Sequence, residues 1–289
     1  MTIVYALLTA LCNALNTTMQ HKASIASPQR TKGWRLVIYL FENPLWLLGW
    51  IALGGAFVFQ ALALHRGQMS VVQPLLVTEL VFALVLRRIW IHQVIRTITW
   101  WAAILTCISL ALFLAMAEPQ GGHAVPSSRA WVSAGAATIG VAVLLTALGM
   151  WGSPARRAAL MGSATAIMWA LVATFLKTTT ETLSQFGVSG MFVHWPVYAL
   201  AAAGLGSEIL NQVTLHVGPL SVSQPFLVIV DPIVSIALSV WIFDEYFSVN
   251  VLHLTLAAVS FVGMCIAVTV LTRTAPATME PESVSAATR

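Results

Sequence analysis

The sequence predicts an all-α polytopic membrane protein of nine transmembrane helices, arranged as two inverted repeats of four with a connecting helix between them. Three observations carry that prediction: composition, the spacing of apolar segments, and a match of the chain with itself. Of 289 residues, 58% are hydrophobic and only 8% are charged, where a soluble domain carries about 25% charged residues. A hydrocarbon core about 30 Å thick needs roughly 20 apolar residues per helix. Nine segments of that size can be counted, at about 2–20, 44–64, 70–86, 98–116, 130–149, 157–177, 193–213, 221–243 and 249–271. They are far too long for barrel strands of about 10 residues. The ten-residue stretch 33–42 (GWRLVIYLFE) is too short and too charged to span and is expected to be an interfacial helix.

The self-match is the stretch LHRGQMSVVQPLLV (Leu64–Val77) against LHVGPLSVSQPFLV (Leu215–Val228), identical at nine of fourteen positions. Each copy joins the end of one apolar segment to the start of the next, segments 2 and 3 in one case and 7 and 8 in the other. Corresponding segments lie five spans apart, an odd number, so the copies run in opposite directions through the membrane. Segment 1 then pairs with 6 and segment 4 with 9. The expected organisation is a first repeat over 1–116, a loop and connecting helix 5 over 117–156, a second repeat over 157–273 and a disordered cytoplasmic tail over 274–289. In transporters built from inverted repeats, the substrate site sits near the midplane between the halves.

Lys and Arg orient the chain, because cytoplasmic loops hold an excess of both. One side carries Lys22, Arg30, Lys32, Arg35, Arg87, Arg88, Arg96, Arg156, Arg157, Arg273 and Arg289; the other carries Arg66, Arg129 and Lys177. This places the N-terminus outside and the C-terminus in the cytoplasm of a multi-pass inner (plasma) membrane protein. Segment 1 has no basic leader and no evident cleavage site, so it reads as a permanent helix. The net charge of +4 is explained by topology and points to no nucleic acid.

Enzyme motifs are missing: the chain has no Walker A loop, GxGxxG, HExxH or nucleophile elbow. No enzymatic activity and no cofactor are expected. Cys12, Cys107 and Cys265 are isolated inside apolar segments, without metal or disulfide spacing. Gly162, Ser163, Ala166 and Gly206 suit close helix packing. His65 and His216 occupy identical repeat positions at span ends, each followed two residues later by Gly, which favours helix capping over metal binding. Trp46, Trp131, Trp151 and Trp195 fall near span ends, as an interfacial belt requires. Asp244–Glu245 closes segment 8 and reads as a solvated helix end, and Lys177, at the end of segment 6, as a side chain snorkelling outwards.

Polar residues inside the spans mark the candidate site, since burying an ionised group at the bilayer centre costs about 2.5–3.5 kcal/mol or more. Glu79 lies mid-segment 3 and Asp231 mid-segment 8, at nearly equivalent repeat positions. Each follows a Gln-Pro pair, Gln73–Pro74 or Gln224–Pro225, and Pro232 adds a further proline beside Asp231. A proline frees a carbonyl in the preceding turn, and such groups are tolerated at depth where protein or water meets them. Segment 7 contributes Glu208, Asn211 and Gln212, and Gln60 of segment 2 stands opposite Asn211 in the repeat. Thr9, Asn13, Asn16 and Gln20 form a stripe on one face of segment 1. The set describes a cavity of acids and amides for a cation, a protonated amine or a transferable proton. The competing reading is that protonated acids and amides simply hold helices together.

The stretch GPLSVSQPFLVIVDPIVSIALSVWIFDEYFSVNVLHLTLAAVSFVGMCIAV resembles the second half of the drug/metabolite transporter (EamA-like) superfamily. Its features are a Gly-containing turn, an acid-Pro inside a helix, a short acidic end and a final small-residue helix. NPLWLLGWIALGGAFVFQALAL is similar to the magnesium-transporter-like NIPA branch, in which an NPLW-type motif opens a helix after a short non-spanning segment. The resemblance implies a secondary transporter of a small metabolite or amine, working by alternating access with proton coupling. A magnesium or other divalent-cation permease is the alternative, with Glu79 and Asp231 as ligands if a cation is carried; a non-transporting envelope scaffold or lipid-handling protein is the third. Arg87–Arg88 stand where the family often places an acid, so that feature survives only in the second half. The expected partners are a small-molecule or cation substrate and the lipid bilayer, and a homodimer stays open.

Overall fold

The computed structural model describes residues 1–25, 43–92, 94–122, 126–217, 220–247 and 250–274. The stretch 33–42 and the tail beyond Thr274 lie outside the described residues. Long apolar helices make up nearly everything else: α1 (Thr2–Ile25), α2 (Pro44–Arg66), α3 (Met69–Leu76), α4 (Thr78–Leu86), α5 (Thr97–Ala117), α6 (Ser128–Leu148), α7 (Pro154–Met191), α8 (Pro196–Val217), α9 (Leu220–Phe243) and α10 (Val251–Thr274). Two-residue strands β1 (Gln120–Gly121) and β2 (Glu245–Tyr246) pair antiparallel. Eight spans among the described residues are long and apolar enough to cross a membrane, α3 and α4 counting as one over Met69–Ile91. The ninth long helix, α8, has 22 residues but carries Glu208, Asn211 and Gln212, which lower its hydropathy. The chain is an all-α, multi-pass membrane protein by the length and composition of its helices.

Local chemistry sets the helix ends. Asn43 is the N-cap of α2, its side-chain oxygen accepting from the Leu45 amide at 3.0 Å, and Pro44 takes the first helical turn, where its missing N–H costs nothing. Ser127 and Ser153 cap α6 and α7 in the same way. Pro74 interrupts the third span: the helix breaks at Val77, whose amide donates to the Pro74 carbonyl at 3.2 Å, while the Thr78 hydroxyl donates to the Leu75 carbonyl at 2.7 Å. In α9 the helix runs through both Pro225 and Pro232 without such a break.

Segment 6 is longer than its hydropathy suggests. α7 spans 38 residues, with its one non-helical residue at Gly187 (φ 69°). Residues 178–182 are all polar, yet the helix continues because threonine hydroxyls donate back to carbonyls one turn earlier: Thr178 to Thr174, Thr180 to Leu176 and Thr182 to Thr178, at 2.8–3.1 Å. Lys177 therefore stands within α7 and not at its end.

Packing rests on small residues, as expected where lipid supplies no hydrophobic drive between helices. Ala6, Ala10 and Ala14, all fully buried, recur every four residues along α1. α1 runs antiparallel to α2: a methyl group added at Gly49 would meet Gln20 and Asn16, one at Gly55 would meet Cys12, and one at Gly67 would meet Thr2. α7 and α9 approach closely at Gly162, where an added Cβ would lie 2.7 Å from the Ser223 carbonyl oxygen. Thr165 and Thr214 share a buried hydroxyl–hydroxyl bond of 2.9 Å between α7 and α8.

Helix ends gather on two faces in alternation. Thr2 donates to the Arg66 carbonyl, Met69 meets Glu245, and Gln120 pairs with Tyr246, so these ends share the face that carries the N-terminus, and α7 passes it at Lys177, which also meets Glu245. On the opposite face Thr99 meets Thr274 at 3.0 Å and Arg157 reaches the Gly149 carbonyl at 3.3 Å.

Candidate functional site

The two acids picked out from the repeat occupy α4 and α9, half-buried, and each is met by a polar side chain of its own half. Glu79, in the first turn of α4, hydrogen-bonds with Asn13 of α1. Asp231 accepts from the Ser235 hydroxyl one turn along α9 at 3.2 Å. Gln73 is 2% exposed, and its side-chain N–H group has no hydrogen-bond partner. An orphaned donor at membrane depth is costly, and this one sits six residues before Glu79, across the break that Pro74 makes. Pro74, Pro225 and Pro232 are all buried.

Other members of the expected set are dispersed. Asn16 accepts from Gln20 at 2.7 Å, and both lie against α2 at Gly49, so the α1 stripe divides between two neighbours: Asn16 and Gln20 towards α2, Asn13 towards Glu79. Glu208 and Gln212 bond to each other at 2.7 Å on the exposed side of α8. Gln60, Asn211 and Gln224 are half-buried. Among the described residues, no three His, Cys, Asp or Glu side chains come together as a metal site.

The strongest polar constellation lies elsewhere and corrects two expectations. Glu245 is not a solvated helix end: it is 1% exposed. Lys177 does not snorkel outwards: its ammonium lies 2.6 Å from Glu245 Oε1 and 4.3 Å from the centre of the Phe243 ring. The same carboxylate accepts from the Met69 amide (2.8 Å), the Ser70 amide (3.0 Å) and the Ser70 hydroxyl (2.6 Å). It thus sits on the N-terminus of α3, where unpaired amides and the helix dipole favour an anion. Burial alone would raise the Glu245 carboxyl, but the Lys177 charge and the hydrogen bonds from Lys177 and Ser70 outweigh it and hold the group below the usual carboxylate range. The result is a clasp between α7 and the end of α9 on one side and the start of α3 on the other, 175 residues away in sequence. Alongside it the β1–β2 ladder joins the loop after α5 to the loop after α9.

Further pairs line the same face. His65, in the last turn of α2, places Nδ1 3.3 Å from Glu181 of α7, and His253 approaches Glu118 at 3.8 Å. Gly67 ends α2 in extended conformation (φ −151°), without the left-handed turn of a glycine cap. The side chain of His216 lies outside the described residues. Trp131 and Trp195 are more than belt residues, because both pack with Phe175: Trp131 stacks on it at 5.0 Å, and Trp195 stands edge-on at 5.9 Å.

Sequence separation hid the clasp. A lone lysine beside a threonine run and an acid pair past a span end look solvated until the fold brings them together. The one clue in the sequence was Lys177 itself, one of few cations on a face that otherwise avoids them.

No family model matches the chain, and no solved structure matches it. An uncharacterized protein of Corynebacterium glutamicum is 26% identical over 279 residues, covering 94% of each chain. That similarity extends over nearly the whole length and brings no activity with it.

Proposed function

We propose that this chain is a secondary transporter of the drug/metabolite type, moving a small metabolite or amine across the inner membrane by alternating access with proton coupling. The observation that carries the reading is the equivalent placement of Glu79 and Asp231 in two halves that pack alike. α1 packs on α2 and on α3–α4; α7 packs on α8 and on α9; α5 and α10, the last helices of each half, pack on each other. This pairing supports reading 1–116 and 157–273 as an inverted repeat.

Both acids have neutral partners, Asn13 and Ser235, while the cation Lys177 is held by Glu245 at the helix-end face. A carboxyl group at membrane depth with an amide or hydroxyl neighbour is suited to exchange a proton or to hold a protonated amine. The unpartnered Gln73 amide adds a donor for a polar substrate group on the same span. In this mechanism the Glu245–Lys177 clasp closes one face between the halves, and its release opens that face. A divalent-cation permease would need several oxygen ligands converging on one point, and the acids here are separately partnered, which favours the organic substrate.

The test is substrate-driven proton movement in proteoliposomes, followed with a trapped pH dye across a panel of amines and metabolites. Glu79→Gln with Asp231→Asn should abolish flux and leave insertion intact. Unchanged flux in that double variant sinks the proposal.

A further inference from the structure

A well-formed cavity lies away from the two acids. It is a half-open chamber of about 720 Å³ on the N-terminal face, walled by α6, the far part of α7 and the turn leading into α8. α6, the connecting helix, forms its outer wall, and Val132 and Ile139 of that wall are 72% and 48% exposed. That wall is apolar and uncovered by other helices at these positions, as a surface that meets lipid chains is.

Its chemistry is specific. Trp131 and Phe175 stack with rings 7° from parallel, and Trp195 stands across both, 84° from Trp131 at 5.2 Å, so three aromatic rings make a corner. The charged side chain on the lining is Glu181, and neither Lys nor Arg lines it. Its carboxylate is kept in place by Gln185, which donates at 3.0 Å, and by His65 at 3.3 Å. Lys177, one turn earlier on α7, points its ammonium to Glu245 and leaves Glu181 uncompensated from that side. An aromatic corner beside a carboxylate attracts a desolvated cation through the ring quadrupoles and the negative charge together. The apolar strip Val132–Gly135–Ala136–Ile139 continues from it down α6.

We infer that this chamber binds an amphiphile with a cationic ammonium head and an apolar chain, the head against the Trp131–Phe175–Trp195 corner on the side of Glu181, the chain along α6. The inference stands apart from the transport reading, because none of these residues belongs to the Glu79 and Asp231 set. The ammonium head has two sources, a free amphiphile or the amine of a membrane lipid, and lipid composition separates them.

The experiment titrates hexyltrimethylammonium into the full-length protein in phosphatidylglycerol nanodiscs, reads tryptophan fluorescence and heat, and subtracts empty discs. Saturable binding is expected, weakened at least tenfold by Glu181→Gln and at least tenfold by Gly135→Leu. The second substitution fills the chamber from α6 at a position where an added Cβ meets nothing within 4 Å, so folding is preserved. Repeating the titration with phosphatidylethanolamine in the discs identifies the source: a loss of apparent affinity marks the lipid amine as a competitor, and no change marks a free amphiphile. Binding no greater than that of empty discs, or wild-type affinity in either variant, overturns the inference.

Discussion

Replacing Glu245 by Gln keeps the shape of the clasp and removes its charge. The carboxylate takes four hydrogen bonds, from Lys177, the Met69 amide, the Ser70 amide and the Ser70 hydroxyl, at 2.6–3.0 Å. A glutamine presents one oxygen and one NH2 group, so at least one of those donors then faces another donor. Lys177, with only 14% of its side chain exposed, is left without its counter-charge. Hydrogen bonds to charged groups contribute about 1.5–3 kcal/mol each, and removing one partner of a buried pair costs about 3–5 kcal/mol. The expected loss is therefore about 3–5 kcal/mol, read as unfolding in detergent by the loss of tryptophan signal. Lys177→Met should cost less, because the α3 amides still hold the carboxylate, and the double variant should recover part of the Glu245→Gln loss. A second readout is position-specific. Val72, fully buried behind the clasp, becomes a cysteine in a background with Cys12, Cys107 and Cys265 removed, and a membrane-impermeant maleimide reports its access. Labelling should rise in the Glu245→Gln background. A variant within about 1 kcal/mol of the parent, with labelling unchanged, refutes the clasp.

The clasp also fixes a pH dependence. The folded-state carboxyl of Glu245 is held below its ordinary value, so its stabilisation is present above about pH 4.3 and is lost as pH falls through the lower folded value. The stability gap between the parent and Glu245→Gln should persist at pH 6 and close only in stronger acid; a gap already closed at pH 6 counts against this account. Gly162→Ala forces a methyl group to 2.7 Å from the Ser223 carbonyl oxygen, so α7 and α9 must part, at a cost of about 1–3 kcal/mol. Gly140→Ala, where an added Cβ meets nothing within 4 Å, should be neutral or stabilising by up to about 1 kcal/mol, and equal unfolding midpoints for the two variants would show that the Gly162 contact does not constrain the crossing.

Much of the fold was readable from residues alone because membrane helices announce themselves by length. The starts and ends of α2, α5, α6 and α9 fall within two residues of the apolar segments, and Asn43–Pro44 marks the start of α2 by a mechanism, a side-chain cap followed by a proline that has no amide to satisfy. The extension of α7 was not readable, since its threonines look like loop composition; their back-bonding to the helix is a conformational fact, not a compositional one. The candidate acids were picked out from the repeat and Asn13 from the α1 stripe, but the contact between Glu79 and Asn13 emerges only in the folded chain. Glu208 and Gln212 were misjudged as neighbours of the acids because a segment position fixes depth and leaves direction free, and α8 turns them outwards. Glu245 was invisible for a third reason: an acid one residue past an apolar run is solvated in most settings, and only a helix start brought from 175 residues away makes it a buried anchor.

The near-copies at 64–77 and 215–228 differ in one respect that follows from this anchor. Glu245 meets the start of α3 within the first copy, whereas the corresponding stretch of the first half, residues 80–117, contains no Asp or Glu to reciprocate. A duplicated bundle with identical halves would hold its two closed forms at equal energy. In the alternating-access mechanism proposed above, a clasp supplied from one side only would break that degeneracy, and since about 1.4 kcal/mol is a tenfold ratio, a bias of about 3 kcal/mol would leave the other form below roughly one molecule in a hundred. Under that mechanism, a single unreciprocated glutamate would give a duplicated scaffold its resting position.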